Sequence, residues 1–208
     1  KPLDHNAMEI AQKRWDSIAK PLHSLGKLET LLIQIAGITG NAEVDLSRRG
    51  LIAMCADNGV VEEGVTQTGQ EVTAIVAENF LKYDTSVGVM CKQNHAEIFP
   101  VDMGMVTDTK VRTDHKIAYG TQNMTKGPAM TREQAVKGLE AGIDMVRELN
   151  DKGYRILATG EMGIGNTTTS SAVASVLLKQ PVEEMTGRGA GLTSEGLMRK
   201  INAIKKAI

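Results

Sequence analysis

YRILATGEMGIGNTTTSSAVASVLL, Tyr154 to Leu178, is the stretch whose reading decides the fold. Its apolar opening passes through a glycine- and hydroxyl-rich turn into an apolar segment of helical character, the strand, turn and helix unit of an α/β protein. Gly160, Gly163 and Gly165 let the backbone come close to a ligand. Asn166 and Thr167 to Thr169 are expected to cap the following helix and leave its first N–H groups pointing outward. A helix start of this kind receives anions, and phosphate is the natural guest. Glu161 sits inside this turn, where a bound phosphate would repel it unless it handles a proton or a ribose hydroxyl. Together these features point to a phosphorylated sugar.

Outward from this stretch, short apolar segments alternate with helical ones. The pattern predicts an α/β fold, a mostly parallel sheet flanked by helices in a Rossmann-like three-layer arrangement, with a small helical N-terminal portion. Residues 1–208 read as one domain, with a helical part over 1–40 and a sheet-containing core over 50–208. The spacing predicts a helix over Asn6 to Ala19, broken by Pro21, and a second from about Ser24 that closes at Gly37 and Gly40. Leu51 to Ala56 and Glu97 to Val101 read as buried strands. Each runs into a polar turn with an aspartate, Asp57-Asn58-Gly59 and Asp102-Met103-Gly104, at the strand end where open α/β sheets place ligands. Val65 to Lys82 reads as a loop and a helix beginning near Glu71. Thr131 with Gln134 forms a capping box for a helix that continues through Leu149 and stops at Gly153. Val106 to Ala129 reads as a long excursion over the surface or towards a partner subunit, and Thr193 opens a last helix that runs to Ile208.

The chain has 208 residues, 41% of them hydrophobic, and a net charge of -1, enough to bury one sizeable core and too little basic excess for wholesale binding of nucleic acid or a membrane surface. Cys55 and Cys91 have no metal-ligand spacing, and neither reads as a nucleophile. No apolar run approaches the roughly 18 residues of a membrane span, and no leader pattern is seen, so the expected location is the cytoplasm. His5, His23, His95 and His115 are scattered and read as surface or packing residues. Taken alone, the glycine-rich turn is equally a tight strand-to-helix connection, Asp57 and Asp102 read more simply as caps at strand ends, and Arg188 is equally a solvated charge. A dinucleotide-binding Rossmann loop is set aside, because the G-x-G-x-x-G spacing is missing.

Longer motifs carry a resemblance over nearly the whole chain. KPLHSLGKLETL (Lys20 to Leu31), ADNGVVEEGVTQTGQEVTA (Ala56 to Ala74), VDMGM (Val101 to Met105), GTQNMTKGPAMTREQA (Gly120 to Ala135), GEMGIGNTTTSSA (Gly160 to Ala172) and TGRGAGL (Thr186 to Leu192) resemble the nicotinate-nucleotide:dimethylbenzimidazole phosphoribosyltransferases of cobamide lower-ligand assembly. The resemblance implies transfer of the 5-phosphoribosyl group from nicotinate mononucleotide to a nitrogen of 5,6-dimethylbenzimidazole, with no cofactor and no metal, in a homodimer. It places the phosphate and ribose at Gly163, Ile164, Gly165, Asn166 and Thr167 and at a second loop, Gly187, Arg188 and Gly189. Glu161 becomes the catalytic candidate. The aromatic base falls near Asp57, Gly64, Val65 and Thr68, with Met103, Met105 and Met162 suited to a soft aromatic slot.

Two departures from the family pattern qualify that mapping. Family members continue well beyond the position matching Ile208, and their usual general base, a glutamate, lies in that continuation. Ile75 and Val76 stand where many relatives carry a glutamine, and Asn58 replaces the His of a common Asp-His-Gly, which implies a less polar acceptor such as a phenol. The alternative function is a catalytically silent homologue that binds a nucleotide or aromatic ligand, or pairs with an active subunit.

Overall fold

The computed structural model describes residues 2–208, which divide into two compact units, one up to Arg48 and one from Arg49 to Ile208. The first is a pair of helices. Asp4 caps α1 (His5–Ser17) by accepting the Ala7 N–H at 3.0 Å, and the helix gives way to extended backbone at Ile18, ahead of Pro21. Helix α2 (Lys27–Thr39) starts after Gly26 and stops at left-handed Gly40. It begins later than Ser24 because Glu29 draws the preceding residues into turns: its Oε1 accepts the Leu25 N–H at 3.1 Å and pairs with Lys20 at 3.0 Å. The Lys20 ammonium holds that buried carboxyl below the usual carboxylate range. Gly37 lies inside the helix rather than closing it, and Met8 packs where its Cβ would stand.

The second unit is built on three parallel strands. In chain order it contains β1 (Arg49–Ala56), a 3-10 turn (Gly59–Glu63), α3 (Glu71–Lys82), α4 (Ser86–Gln93), β2 (Ala96–Gly104), α5 (Arg132–Asp151), β3 (Ile156–Met162), α6 (Asn166–Leu178), α7 (Val182–Met185) and α8 (Ser194–Ala207). The order is β2-β1-β3, and both pairings are parallel. Alternation along β1 sends Ala53 and Cys55 to one face, where they pack with Ala77 and Phe80 of α3 and Cys91 of α4. Ile52 goes to the other face and packs with Met145 and Leu149 of α5. Helices on both faces make the three layers that the sequence pattern predicts. Met145 and Leu149 are fully buried, so truncating either to Ala removes about 2–5 kcal/mol of a total stability of about 5–15 kcal/mol. Strand β3 reads as an apolar run, yet most of it is exposed, and it has a neighbour only on its β1 side.

Three further differences from the sequence reading have local causes. Asp102, Met103 and Gly104 belong to β2 and not to a turn after it: Cys55 faces Asp102 and Ala56 faces Gly104, so Met103 is the extra residue of a bulge. The segment after β2 is no excursion but is stitched to the sheet. Asp102 N–H donates to the Arg112 carbonyl at 2.8 Å, and the amides of Ile117, Gly120 and Thr121 donate to Met103, Gly104 and Asp57, each at 3.0 Å. Helix α4, unmarked in the sequence reading, is capped by Thr85, whose hydroxyl accepts the Gly88 N–H at 2.9 Å. The capping box at Thr131 and Gln134 and the helix opened by Thr193 form as expected.

The stitched segment is anchored to α5 by Arg112, which reaches Glu148 at 2.7 Å and Asp114 at 2.6 Å. Arg112, aided by Lys152, holds the Glu148 carboxyl down to about 2. A folded pKa below the unfolded one stabilises the fold above about pH 4.5, and the contribution is lost as the pH falls towards about 2. For a partly exposed pair it amounts to about 1 kcal/mol. Glu148→Gln is therefore expected to lower Tm at pH 7 by about 2–4 °C, with the deficit shrinking as the pH falls through that window, as checked by calorimetry from pH 7 to 3.

Candidate functional site

The loops that follow β1 and β3 enclose a cavity of about 120 Å³. Val65, Thr66, Gln67 and Thr68 line it from the β1 side, Gly163 to Thr167 from the β3 side, and Arg188, Gly189, Ala190 and Leu192 close it. Sheet order puts this cavity where the chain turns to opposite sides of β1, the usual ligand position of open parallel sheets. The structure thus brings together Gly163, Ile164, Gly165, Asn166, Thr167, Arg188 and Gly189 from the two glycine loops with Val65 and Thr68 of the expected base site. Gln67 bridges the loops across the opening, donating to the Gly191 carbonyl at 2.5 Å.

The helix start differs from expectation in a way that suits an anion. Gly165, at φ 92°, occupies the cap position of α6 with no side chain to offer, and Asn166 and Thr167 fall inside the helix. Thr169 turns its hydroxyl to the Asn166 carbonyl at 2.9 Å rather than capping the N-terminus. The amides of Asn166 and Thr168 fold back onto the carbonyls of Gly163 and Gly165, at 3.0 and 2.9 Å. Those of Gly165 and Thr167 have no partner among the described residues. A Cβ on Gly163 would overlap the Ala56 carbonyl oxygen, so the two strand ends approach this closely only with glycine there.

Lys200 of α8, which the sequence reading missed, lies beneath these loops and is 1% exposed. Its ammonium donates to the Thr167 hydroxyl at 2.8 Å and the Gly187 carbonyl at 3.1 Å, tying one glycine loop to the other. Among the described residues no carboxylate pairs with it. Burial pushes its pKa below the usual lysine value. The signal was available in the sequence: Lys200 sits on the apolar face of α8, four residues after Gly196 and four before Ile204, both buried.

The remaining expected residues lie elsewhere. Glu161 is in β3, not in the turn, and stays exposed outside the cavity lining. Arg188 is tied to the start of α8, donating to the Leu192 carbonyl at 2.8 Å and the Ser194 hydroxyl at 3.2 Å. Gly187 supplies its carbonyl to Lys200 and does not line the cavity. Asp57 is fully buried as a backbone staple whose Oδ2 accepts the Val106 N–H at 2.8 Å. Asp102 is equally buried, accepting the amides of Gly104 and Met105 and pairing with Lys116 at 3.1 Å. Gly64 ends the 3-10 turn in a left-handed conformation and gives its carbonyl to Arg199. Met103 lines a separate apolar cavity of about 210 Å³ beside Ala56, Ile117, Met130 and Ala135. The expected base-binding set is thus divided between two cavities and a buried staple. Ile75 is exposed on α3 and lines neither cavity. Burial pushes the Cys55 thiol up to about 12 and raises that of Cys91, which leaves both unreactive as nucleophiles. No group of three metal-ligating side chains is arranged around an ion among the described residues.

A family model described as phosphoribosyltransferase matches residues 1–208. The chain belongs to that family. It is 50% identical over 210 positions to the nicotinate-nucleotide–dimethylbenzimidazole phosphoribosyltransferase of Ruminiclostridium cellulolyticum, with all of this chain and 60% of that protein covered. The enzyme of the same name from Clostridium tetani is 47% identical, with 100% and 58% covered. The crystal structure of CobT from Thermus thermophilus superposes with a TM-score of 0.86 at 36% identity, over 97% of this chain and 61% of that one. The chain therefore spans about three fifths of the length of these members of the family.

A buried ammonium with a lowered pKa costs stability in full at low pH, and the cost is relieved as the pH rises through the lowered value towards 10.5. An anion bound beside it removes the cost directly. Inorganic phosphate is expected to raise the Tm of the parent chain, and Lys200→Met to leave the ligand-free Tm at pH 7 unchanged or higher and to abolish that rise. Thermal melts with increasing phosphate check both.

Proposed function

We propose that this chain holds the phosphoribosyl-binding part of a nicotinate-nucleotide-dependent phosphoribosyltransferase. Such an enzyme moves the 5-phosphoribosyl group from nicotinate mononucleotide to a ring nitrogen of 5,6-dimethylbenzimidazole or a related aromatic base, in the cytoplasm and as a homodimer. The observation that carries this reading is the buried, unpaired Lys200 ammonium between the two glycine loops. A 5′-phosphate among Gly165, Thr167 and Lys200 would meet free amides, a hydroxyl and a missing counter-charge together. With the phosphate held there, the ribose extends from the anchored end, and attack of the base nitrogen on its anomeric carbon displaces nicotinate. The base loses its ring proton in the process. Glu161, at the exposed end of β3 two residues before Gly163, is the candidate for handling that proton or a ribose hydroxyl.

A second reading has its own support. Among the described residues no acidic side chain lines the cavity, so the chain by itself is suited to hold a nucleotide without turning it over, as a silent homologue or the partner of an active subunit. Nicotinate release from nicotinate mononucleotide, with benzimidazoles and phenols as acceptors, separates the two. Under the transferase reading Glu161→Gln is expected to lower kcat about 100-fold while the dissociation constant for nicotinate mononucleotide changes by less than about twofold. Saturable binding without release, in parent and variant alike, would establish the binding reading instead.

A further inference from the structure

Asn58, the first polar side chain after Asp57 at the end of β1, is 7% exposed and makes contacts that converge on one peptide of the anion loop. Its Nδ2 donates to the Ile164 carbonyl at 3.1 Å, across 106 residues of chain. Its Oδ1 lies 3.5 Å from the Thr169 hydroxyl, whose proton goes to the Asn166 carbonyl at 2.9 Å, so the Ile164 carbonyl is the partner that orients the amide. Its own carbonyl is held by Gln70 Nε2 at 2.9 Å, fixing the position from which the side chain reaches. On the other side of Ile164, the N–H donates to the buried Thr73 hydroxyl at 3.0 Å.

The Ile164 carbonyl and the Gly165 N–H belong to the same planar trans peptide and point in opposite directions. A donor that holds the carbonyl on the Asn58 side therefore turns the Gly165 N–H away from Asn58. Gly165 lines the cavity and Asn58 does not. The peptide preceding a glycine is the one that turns over most readily, because glycine accepts φ of either sign. In the reversed orientation the Ile164 carbonyl oxygen would face the anion and repel it.

We propose that Asn58 is the positioning residue that fixes the Ile164–Gly165 peptide so that the Gly165 N–H, and not the Ile164 carbonyl, is presented to a phosphate group. The role rests on the phosphoribosyl reading for its substrate, and on loop geometry alone for its mechanism. Asn58 touches no ligand in this role. It acts through Ile164, and its neutral amide supplies the donor at any pH at which the protein is folded.

The test compares the parent chain with Asn58→Ala and with Asn58→Ser, whose hydroxyl is too short to reach Ile164. Affinity is measured for inorganic phosphate, nicotinate mononucleotide and unphosphorylated nicotinate riboside, beside Tm and ligand-free crystal structures. Expected are a loss of about tenfold or more in affinity for the two phosphate-bearing ligands, a change below about twofold for nicotinate riboside, a Tm within a few degrees of the parent, and a reversed Ile164–Gly165 peptide in the ligand-free variants. A general weakening of the fold would lower all three affinities together, and that result overturns the proposal. An unchanged peptide orientation in both variants also overturns it, whether or not any ligand binds. If the parent binds phosphate but not nicotinate mononucleotide, the phosphoribosyl reading fails, while the role of Asn58 is still decided by phosphate affinity and peptide orientation.

Discussion

Parallel pairing on both sides of β1 is the constraint from which the rest follows. The chain leaves β1 to build β2 on one side and reaches β3 on the other, so the loops at the C-terminal ends of β1 and β3 part and leave a crevice between them. That crevice is useful only if the two loops approach without colliding. Glycine at 163 permits the approach, because any side chain would strike the Ala56 carbonyl. Asn58 and Thr73 then convert proximity into geometry by taking the two polar groups of Ile164 in opposite senses.

Electrostatics separates the structural clusters from the candidate site. Asp57 and Asp102 are fully buried at the strand ends, a position that suggests chemistry in sequence, but Asp102 is taken by the amides of Gly104 and Met105 and by Lys116, and Asp57 Oδ2 by the Val106 N–H, with Asp57 Oδ1 left unpartnered among the described residues. Their arrangement fastens the segment after β2 over the sheet. Lys200 is the opposite case. An uncompensated buried ion costs several kcal/mol, a large share of a stability of about 5–15 kcal/mol. A fold tolerates such a charge where a ligand of opposite sign offsets it, and the two glycine loops meet over this ammonium.

The same distinction explains why the expected base-binding residues divide. Val65 and Thr68 follow the 3-10 turn into the crevice, while the bulge at Met103 re-aims that side chain towards α5 and the second cavity. Separation along β1 is small, yet Ala56 to Asn58 stands between the two spaces. Gly163 presses on it from one side, and Gly120 and Thr121 from the other.

Local signals were legible in the sequence because their physics is local. Hydrophobic periodicity gave the strands and most helices, the Thr131 and Gln134 side chains form the capping box of their own helix, and the glycine turn after β3 marked the start of α6. Recognition by motif extended this to both glycine loops. The stitching of 106–129, the bulge in β2, the exposure of β3 and the meeting of Lys200 with Thr167 and Gly187 depend on partners that no spacing rule names. The sequence by itself determined the α/β class, the glycine-rich turn between β3 and α6, and the family. Tertiary structure alone decided that Asp57 is a staple, where the buried cation stands and which way the Ile164–Gly165 peptide faces, because Lys200, Asp57 and Asn58 meet partners 33, 49 and 106 residues away, paired only when strands and helices come together.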